Sequence, residues 1–229
     1  MTGYLCYHRL RRNAAMMVSA NEIHHTIRKA SLAIGLDHDR ATDIGAAVVW
    51  LARHGQDGCA IAEAMLAATD TAPPLVMTKA KDQLKLSSPR PAIEGIAAID
   101  WLIANPDDGC VVMSDVSDGV LLLGLLGVAA GQYNSVFQIS VDGKNHKARV
   151  TMTGCTNWTI LSDSRNQTMS LTCFPASGED AISNPDHYDD LIVAKDVWEK
   201  LAALAYKTYV PSSEQSRLSG AGAGLNDND

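Results

Sequence analysis

Apolar residues recur along this chain in two rhythms, a helical one near the start and a strand-like one past the middle. Ile23, Ile27, Ala30 and Ile34 follow one another at spacings of four, three and four, which stacks them on one helical face. Ser19 and Glu22 form a capping box ahead of them, and Gly35 supplies a left-handed residue behind. A helix is therefore predicted from Ser19. A second runs from about Asp39 to His54, with Ile44, Val48 and Leu51 as its stripe and Gly55 as its stop. A third, from about Cys59 to Ala68, carries Ile61, Met65 and Leu66. The pattern breaks at residues 69–74, which contain two consecutive prolines.

Residues 75–90 mix apolar and basic positions and read as loop with short strands. A fourth helix is predicted over residues 92–104, with Ile93, Ile96, Ala97 and Trp101 on one face, and Asn105-Pro106 ends it. Cys110 to Met113 reads as a short buried strand. The apolar run from Val120 to Ala130 suits helix by its length, although Gly124 and Gly127 weaken that reading. Phe137, Ile139 and Val141 then alternate with polar residues, Asp142-Gly143 marks a turn, and Ala148, Val150 and Met152 alternate on the way back, which is a hairpin pattern. Further strands are predicted at residues 156–161 and 169–174, and a last helix at residues 194–206 with Val197, Leu201 and Leu204 buried. The predicted fold is α+β: an N-terminal helical lobe packed with a mostly antiparallel sheet and flanking helices. The expected organisation is a lead over residues 1–16, a lobe over 17–70, a body over 71–210 continuous with the lobe, and a Gly-rich acidic tail over 211–229.

Charge narrows the function. The formal net charge is −7, and residues 1–16 hold three of the basic residues and no acid, so the rest carries −10. Nucleic-acid binding draws its affinity from clustered Lys and Arg and is not expected. No apolar run reaches the roughly 18 residues that a membrane helix needs. The five cysteines are widely spaced without a C-x-x-C pair, which suits reduced thiols and a cytoplasmic location better than a zinc ribbon or a disulfide framework. The first residues lack the apolar core of a secretory signal.

No nucleophile elbow and no phosphate-binding glycine loop occurs in the chain. Glu22 and His25 share the E-x-x-H spacing of di-iron bundles, but Glu22 already serves as a cap and no second pair exists, so no metal site is predicted. The unusual chemistry lies in the tail. Glu214, Ser216, Arg217, Asp227 and Asp229 surround a Gly-Ala run whose small residues let backbone lie against another surface.

The segments MVSANEIHHTIRKASLAIGL, AAVVWLARHG and YVPSSEQSRLSGAGAGLNDND resemble the bacterial domain-of-unknown-function family 3726, a likeness that spans residues 17–229. The resemblance implies a bacterial source and a start at Met16 or Met17. It supplies no activity or catalytic residues to carry over.

The expected function is a cytosolic small-molecule enzyme or enzyme subunit whose tail closes a cleft. Arg217 would clamp a substrate carboxylate, with Glu214 or Asp227 as base. Trp50, Lys79, Trp158, Ser216 and Asp229 would line the ligand site. The alternative is a non-catalytic accessory of a catabolic enzyme, with the tail as a docking peptide. The tail would also serve any homo-oligomer, and the sequence names no cofactor.

Overall fold

The computed structural model describes residues 15–69, 76–80, 83–106, 109–141, 147–161, 168–176 and 191–209. Within them the expected α+β architecture stands: six α-helices pack with one seven-stranded sheet and a separate two-stranded ribbon. Helix α1 (Ala20–Ala33) begins at the capping box. The Glu22 backbone N–H donates to Ser19 Oγ at 3.2 Å, and the Glu22 carboxylate accepts from the Ser19 backbone N–H at 2.9 Å. Helix α2 (His38–Arg53) is capped by the Asp37 carboxylate, which accepts from the Arg40 backbone N–H at 2.9 Å. Gly35 and Gly55 take the left-handed conformations expected of them, with φ of 91° and 74°. Helix α3 (Gly58–Thr69) completes the lobe.

The ribbon joins β1 (Ala15–Val18) to β9 (Leu191–Ala194) in antiparallel register, so residues before and after the sheet meet beside the lobe. Helix α6 (Lys195–Tyr206) follows β9 at once and packs against α1. Its end is tied there, because Lys29 Nζ donates to the Tyr209 hydroxyl at 2.5 Å and sits 4.5 Å from the centre of the ring.

The short strands expected within residues 75–90 are present, and the sheet departs from expectation in how they join it. Residues 75–90 form a hairpin of β2 (Val76–Ala80) and β3 (Gln83–Ser87), and β3 runs parallel to β4 (Cys110–Ser114). A parallel neighbour needs a crossover connection. Here it is one turn of π-helix (Pro91–Gly95) that continues into α4 (Ile96–Ala104). The π turn takes up one residue more than an α turn, so a face counted through it at α spacing is displaced. Ala98, Ile99 and Leu102 are buried as a result, whereas Ala97 is exposed and Trp101 only half-buried.

The remaining strands, β5 (Ser135–Val141), β6 (Lys147–Thr151), β7 (Gly154–Cys155) and β8 (Thr168–Pro175), complete the order β2-β3-β4-β8-β5-β6-β7. The β5–β6 hairpin stands as predicted, and its Asp142-Gly143 turn lies outside the described residues. Residues 158–161 form a 3₁₀ turn and not a strand. The local reason is that β7 ends after Cys155, where the Thr156 hydroxyl accepts from the Arg149 backbone N–H at 2.9 Å and stops the ladder.

Helix α5 (Gly119–Tyr133) holds the layers together. It is apolar all round, and Leu121 to Leu126 are each buried, as a helix enclosed on every side requires. One side covers β5 and β6, and the opposite side crosses α2. Gly124 and Gly127 lie at that crossing. A Cβ on Gly124 would stand 2.8 Å from the Ala47 carbonyl oxygen, and one on Gly127 would stand 2.2 Å from Trp50 Cε2. The glycines that lower helix propensity thus set how closely α5 and α2 approach.

Candidate functional site

Among the described residues four without a glycine's freedom have left-handed backbone: Asn134, φ 48°, caps the far end of α5, and the other three fall together in the chain around the ends of β3 and β4. Beyond the carboxyl ends of the parallel strands, Ser88 has φ of 53° and Asp115 has φ of 55°, and Asp118 has φ of 49° just before α5. L-residues without a glycine's freedom avoid this region at a cost of about 1 kcal/mol or more each, and such residues persist only where their surroundings hold them. The holding contacts are direct. The Ser88 backbone N–H donates to the Ser114 carbonyl at 2.8 Å, and Ser88 Oγ donates to Asp115 Oδ2 at 3.1 Å. Asp118 stands at the N-cap position of α5 but makes no side-chain cap. The Ser88 hydroxyl and the Asp115 carboxylate therefore meet, with Asp118 three residues further along the chain, where α/β folds place ligands, outside the carboxyl ends of parallel strands.

Arg90 and Glu94 buttress the corner from the π turn. Glu94 is 8% exposed and accepts from the Arg90 backbone N–H at 2.8 Å and from Arg90 Nε at 3.1 Å. Burial pushes the Glu94 carboxyl up, but the hydrogen bonds and charge of Arg90 outweigh it and hold it below its ordinary value.

A second cluster lies at the end of α2. Trp50, His54 and Trp158 form an aromatic triangle, with Trp50 and Trp158 centroids 5.3 Å apart and His54 4.2 Å from Trp50. Trp50 Nε1 donates to the Met152 carbonyl at 2.8 Å. His54 Nδ1 lies 2.7 Å from the Trp50 carbonyl, which only accepts, so Nδ1 carries the proton. The structure thus brings Trp50 and Trp158 together and adds His54. Lys79 is on edge strand β2, whereas Trp158 follows β7 at the opposite edge of the sheet, so the two belong to different ends of it. Glu214, Ser216, Arg217, Asp227 and Asp229 lie outside the described residues.

Other groups are less suited to chemistry. A cleft between α2, α4 and α5 is lined by Asp43, Asp100, Gln132 and Tyr133, but at about 80 Å³ it is well below the roughly 300–1,000 Å³ of small-molecule pockets. Burial raises the Asp43 carboxyl, helped by Asp100, Asp39 and Asp37. Burial likewise pushes the Cys59 thiol to about 12 and Cys155 to about 11, which leaves both protonated and poor nucleophiles at neutral pH. Among the described residues no three His, Cys, Asp or Glu side chains group to hold a metal ion, and no helix is long and apolar enough to cross a membrane.

Sequence reasoning passed over Ser88, Asp115 and Asp118. Their one signal was turn chemistry: Ser-Ser-Pro after β3 and Ser-Asp-Val-Ser-Asp-Gly after β4 are rich in residues that tolerate left-handed backbone.

No curated protein sequence matches the chain. A dehydrogenase from Sinorhizobium meliloti is 8% identical, with a TM-score of 0.55, over 83% of this chain and 99% of its own. At that identity the likeness shows a shared fold alone. A malate dehydrogenase from Entamoeba histolytica is 14% identical over 56% of this chain and 39% of its own, with a TM-score of 0.43. One from Pyrococcus horikoshii OT3 is 11% identical over 55% and 40%, with a TM-score of 0.44, so this chain spans about two fifths of each malate dehydrogenase. Residues 18–91, from the capping box through the β2–β3 hairpin to the π turn, match the model of the family described as Protein of unknown function (DUF3726), which places that segment in the family its sequence resembles.

Proposed function

We propose that this chain is a bacterial cytosolic protein that binds a small hydroxylated metabolite at the corner beyond β3 and β4, as an enzyme or a subunit of one. The observation that carries the reading is the trio of left-handed, non-glycine residues Ser88, Asp115 and Asp118, two of them joined by a hydrogen bond between side chains. Strain of this kind opposes folding and persists where it positions groups for a ligand. The carboxylates accept hydrogen bonds from ligand hydroxyls, and Ser88 adds a hydroxyl of its own. The fold shared with the Sinorhizobium meliloti dehydrogenase supports the choice of a small-molecule enzyme.

In this reading the tail closes over the bound ligand. Arg217 clamps a carboxylate, Glu214 or Asp227 acts as base, and Ser216 and Asp229 complete the polar lining. Trp50 and Trp158 support the scaffold behind α5 through Gly127.

The test is thermal unfolding of the full chain against hydroxy acids, oxo acids, nicotinamide dinucleotides and divalent ions. A ligand at a hundred times its Kd stabilises the folded state by about 2.7 kcal/mol. The expected result is a hit that is lost in Asp115→Ala and weakened when residues 211–229 are removed. A hit that survives Asp115→Ala unchanged refutes the corner, and turnover unaffected by the truncation refutes the role of the tail.

A further inference from the structure

The two faces of the seven-stranded sheet carry opposite chemistry. Cross-strand partners share a face, so the registers assign every paired residue. Leu84, Leu86, Val111, Met113, Leu171 and Ile139 point to α4 and α5 and are buried. The opposite face presents a row of Lys85, Val112, Ser170, Ser140 and Lys147, in that order across five strands. Beside it runs a second row of Gln83, Cys110, Thr172, Gln138 and Arg149, and a third of Ser87, Ser114 and Thr168, while the far end of the face, away from β3, holds the apolar pair of buried Val136 and exposed Phe174. None of these positions is acidic and three are basic, in a chain that has 26 acids against 19 basic residues. The central hydroxyl and amide side chains are half-buried, whereas Lys85 and Lys147 are exposed.

This face leads into the strained corner. Ser87 precedes Ser88 and Ser114 precedes Asp115, and Lys85 stands two residues, or about 6.6 Å, back along β3 on the same face as Ser87. The corner offers acceptors for hydroxyl groups, and Lys85 offers a positive charge one side-chain length away. Together they define a ligand with two different ends.

We infer that the sheet face opposite α4 and α5, beside β3, is an anion-binding platform, and that the ligand of the corner is a hydroxylated small molecule whose carboxylate or phosphate is held by Lys85 over Ser87, Ser114 and Thr168. The inference rests on the corner reading for the hydroxylated end and on charge complementarity for the anionic one. Among the described residues the sheet rows that hold Lys85 carry no acid, so it attracts an anion without first breaking an ion pair within them, and hydroxyls supply the neutral donors that complete the shell.

The experiment is amine-reactive footprinting of the full chain at low ionic strength, with inorganic pyrophosphate and succinate as separate probes. Labelling of Lys85 should fall about tenfold when a probe is present at ten times its Kd. Lys195 and Lys200, ion-paired on α6 with Glu199 and Glu63, should label unchanged. Whichever probe protects Lys85 more strongly identifies the anionic group as phosphate or carboxylate. Lys85→Met should weaken binding of that probe about tenfold, the loss of one charge-assisted contact. Equal protection by sodium chloride at matched ionic strength, or protection of Lys147 without Lys85, overturns the platform. Asp115→Asn separates the two readings: Lys85 protection retained in that variant supports the platform whatever becomes of the corner, whereas protection lost in a variant that still folds overturns the platform as a site set by Lys85.

Discussion

The crossing of α2 with α5 and the corner beyond β3 and β4 are built on opposite principles. At the crossing, glycine removes every obstacle, and Trp50 lies so close to Gly127 that no side chain fits between them. At the corner, residues that could have been glycine are Ser88, Asp115 and Asp118, each in a conformation glycine adopts without strain. The first arrangement gains contact area and dispersion energy, which is what a core needs. The second retains polar side chains at a cost in backbone energy, which is what a site needs. The same distinction separates the two faces of the sheet, one closed by α4 and α5 and the other lined with hydroxyls and lysines.

The largest expected effect tests the crossing. Gly127→Ala should destabilise the fold by about 4 kcal/mol, because Trp50 must leave its place and lose its bond to the Met152 carbonyl. A urea midpoint close to that of the wild type would show that the crossing yields easily.

Arg90→Ala should cost about 2 kcal/mol at pH 7, because Glu94 is left charged and enclosed; about a quarter of the Arg90 side chain meets water, which tempers the loss. The sign with pH follows from the lowered Glu94 carboxyl. Its contribution is present above the ordinary value of 4.5 and is lost as pH falls through the lower folded value. Urea midpoints of the wild type and Arg90→Ala should therefore differ at pH 7 and converge in acid below pH 4.5. A gap that stays constant over that range would mean the pair contributes packing alone.

The smallest effect has the opposite sign. Asp118→Gly should stabilise the fold by about 1 kcal/mol by releasing left-handed strain, while it weakens any ligand found at the corner. A variant destabilised in calorimetry would show that the Asp118 side chain holds the turn, and would move the corner from function to structure.

The helices were legible in the sequence because local chemistry decides them. Ser19 with Glu22 starts α1, Gly35 stops it, and neither depends on anything distant. The β5–β6 hairpin was legible for the same reason, through the alternation of Phe137, Ile139 and Val141 and of Ala148 and Val150. The crossover was less so. A π turn at Pro91–Gly95 displaces the face predicted for α4, and nothing in a count of spacings announces it. Residues 158–161 have the apolar content of a strand but find no partner beyond β7, and they close into a 3₁₀ turn. The aromatic triangle was half visible, since Trp50 and Trp158 stood out as large aromatics but His54 read only as a helix end.

By itself the sequence determined the helices of the lobe and their caps, the β5–β6 hairpin, the acidic balance and the family resemblance, since each rests on neighbours within a few residues. Only the tertiary structure decided that β3 and β4 run parallel, that Ser88 meets Asp115 across 27 positions of chain, and that Lys85 shares a face with Ser170 and Ser140. Pairing and register depend on which distant strand buries which face, and that choice is made by the whole core at once.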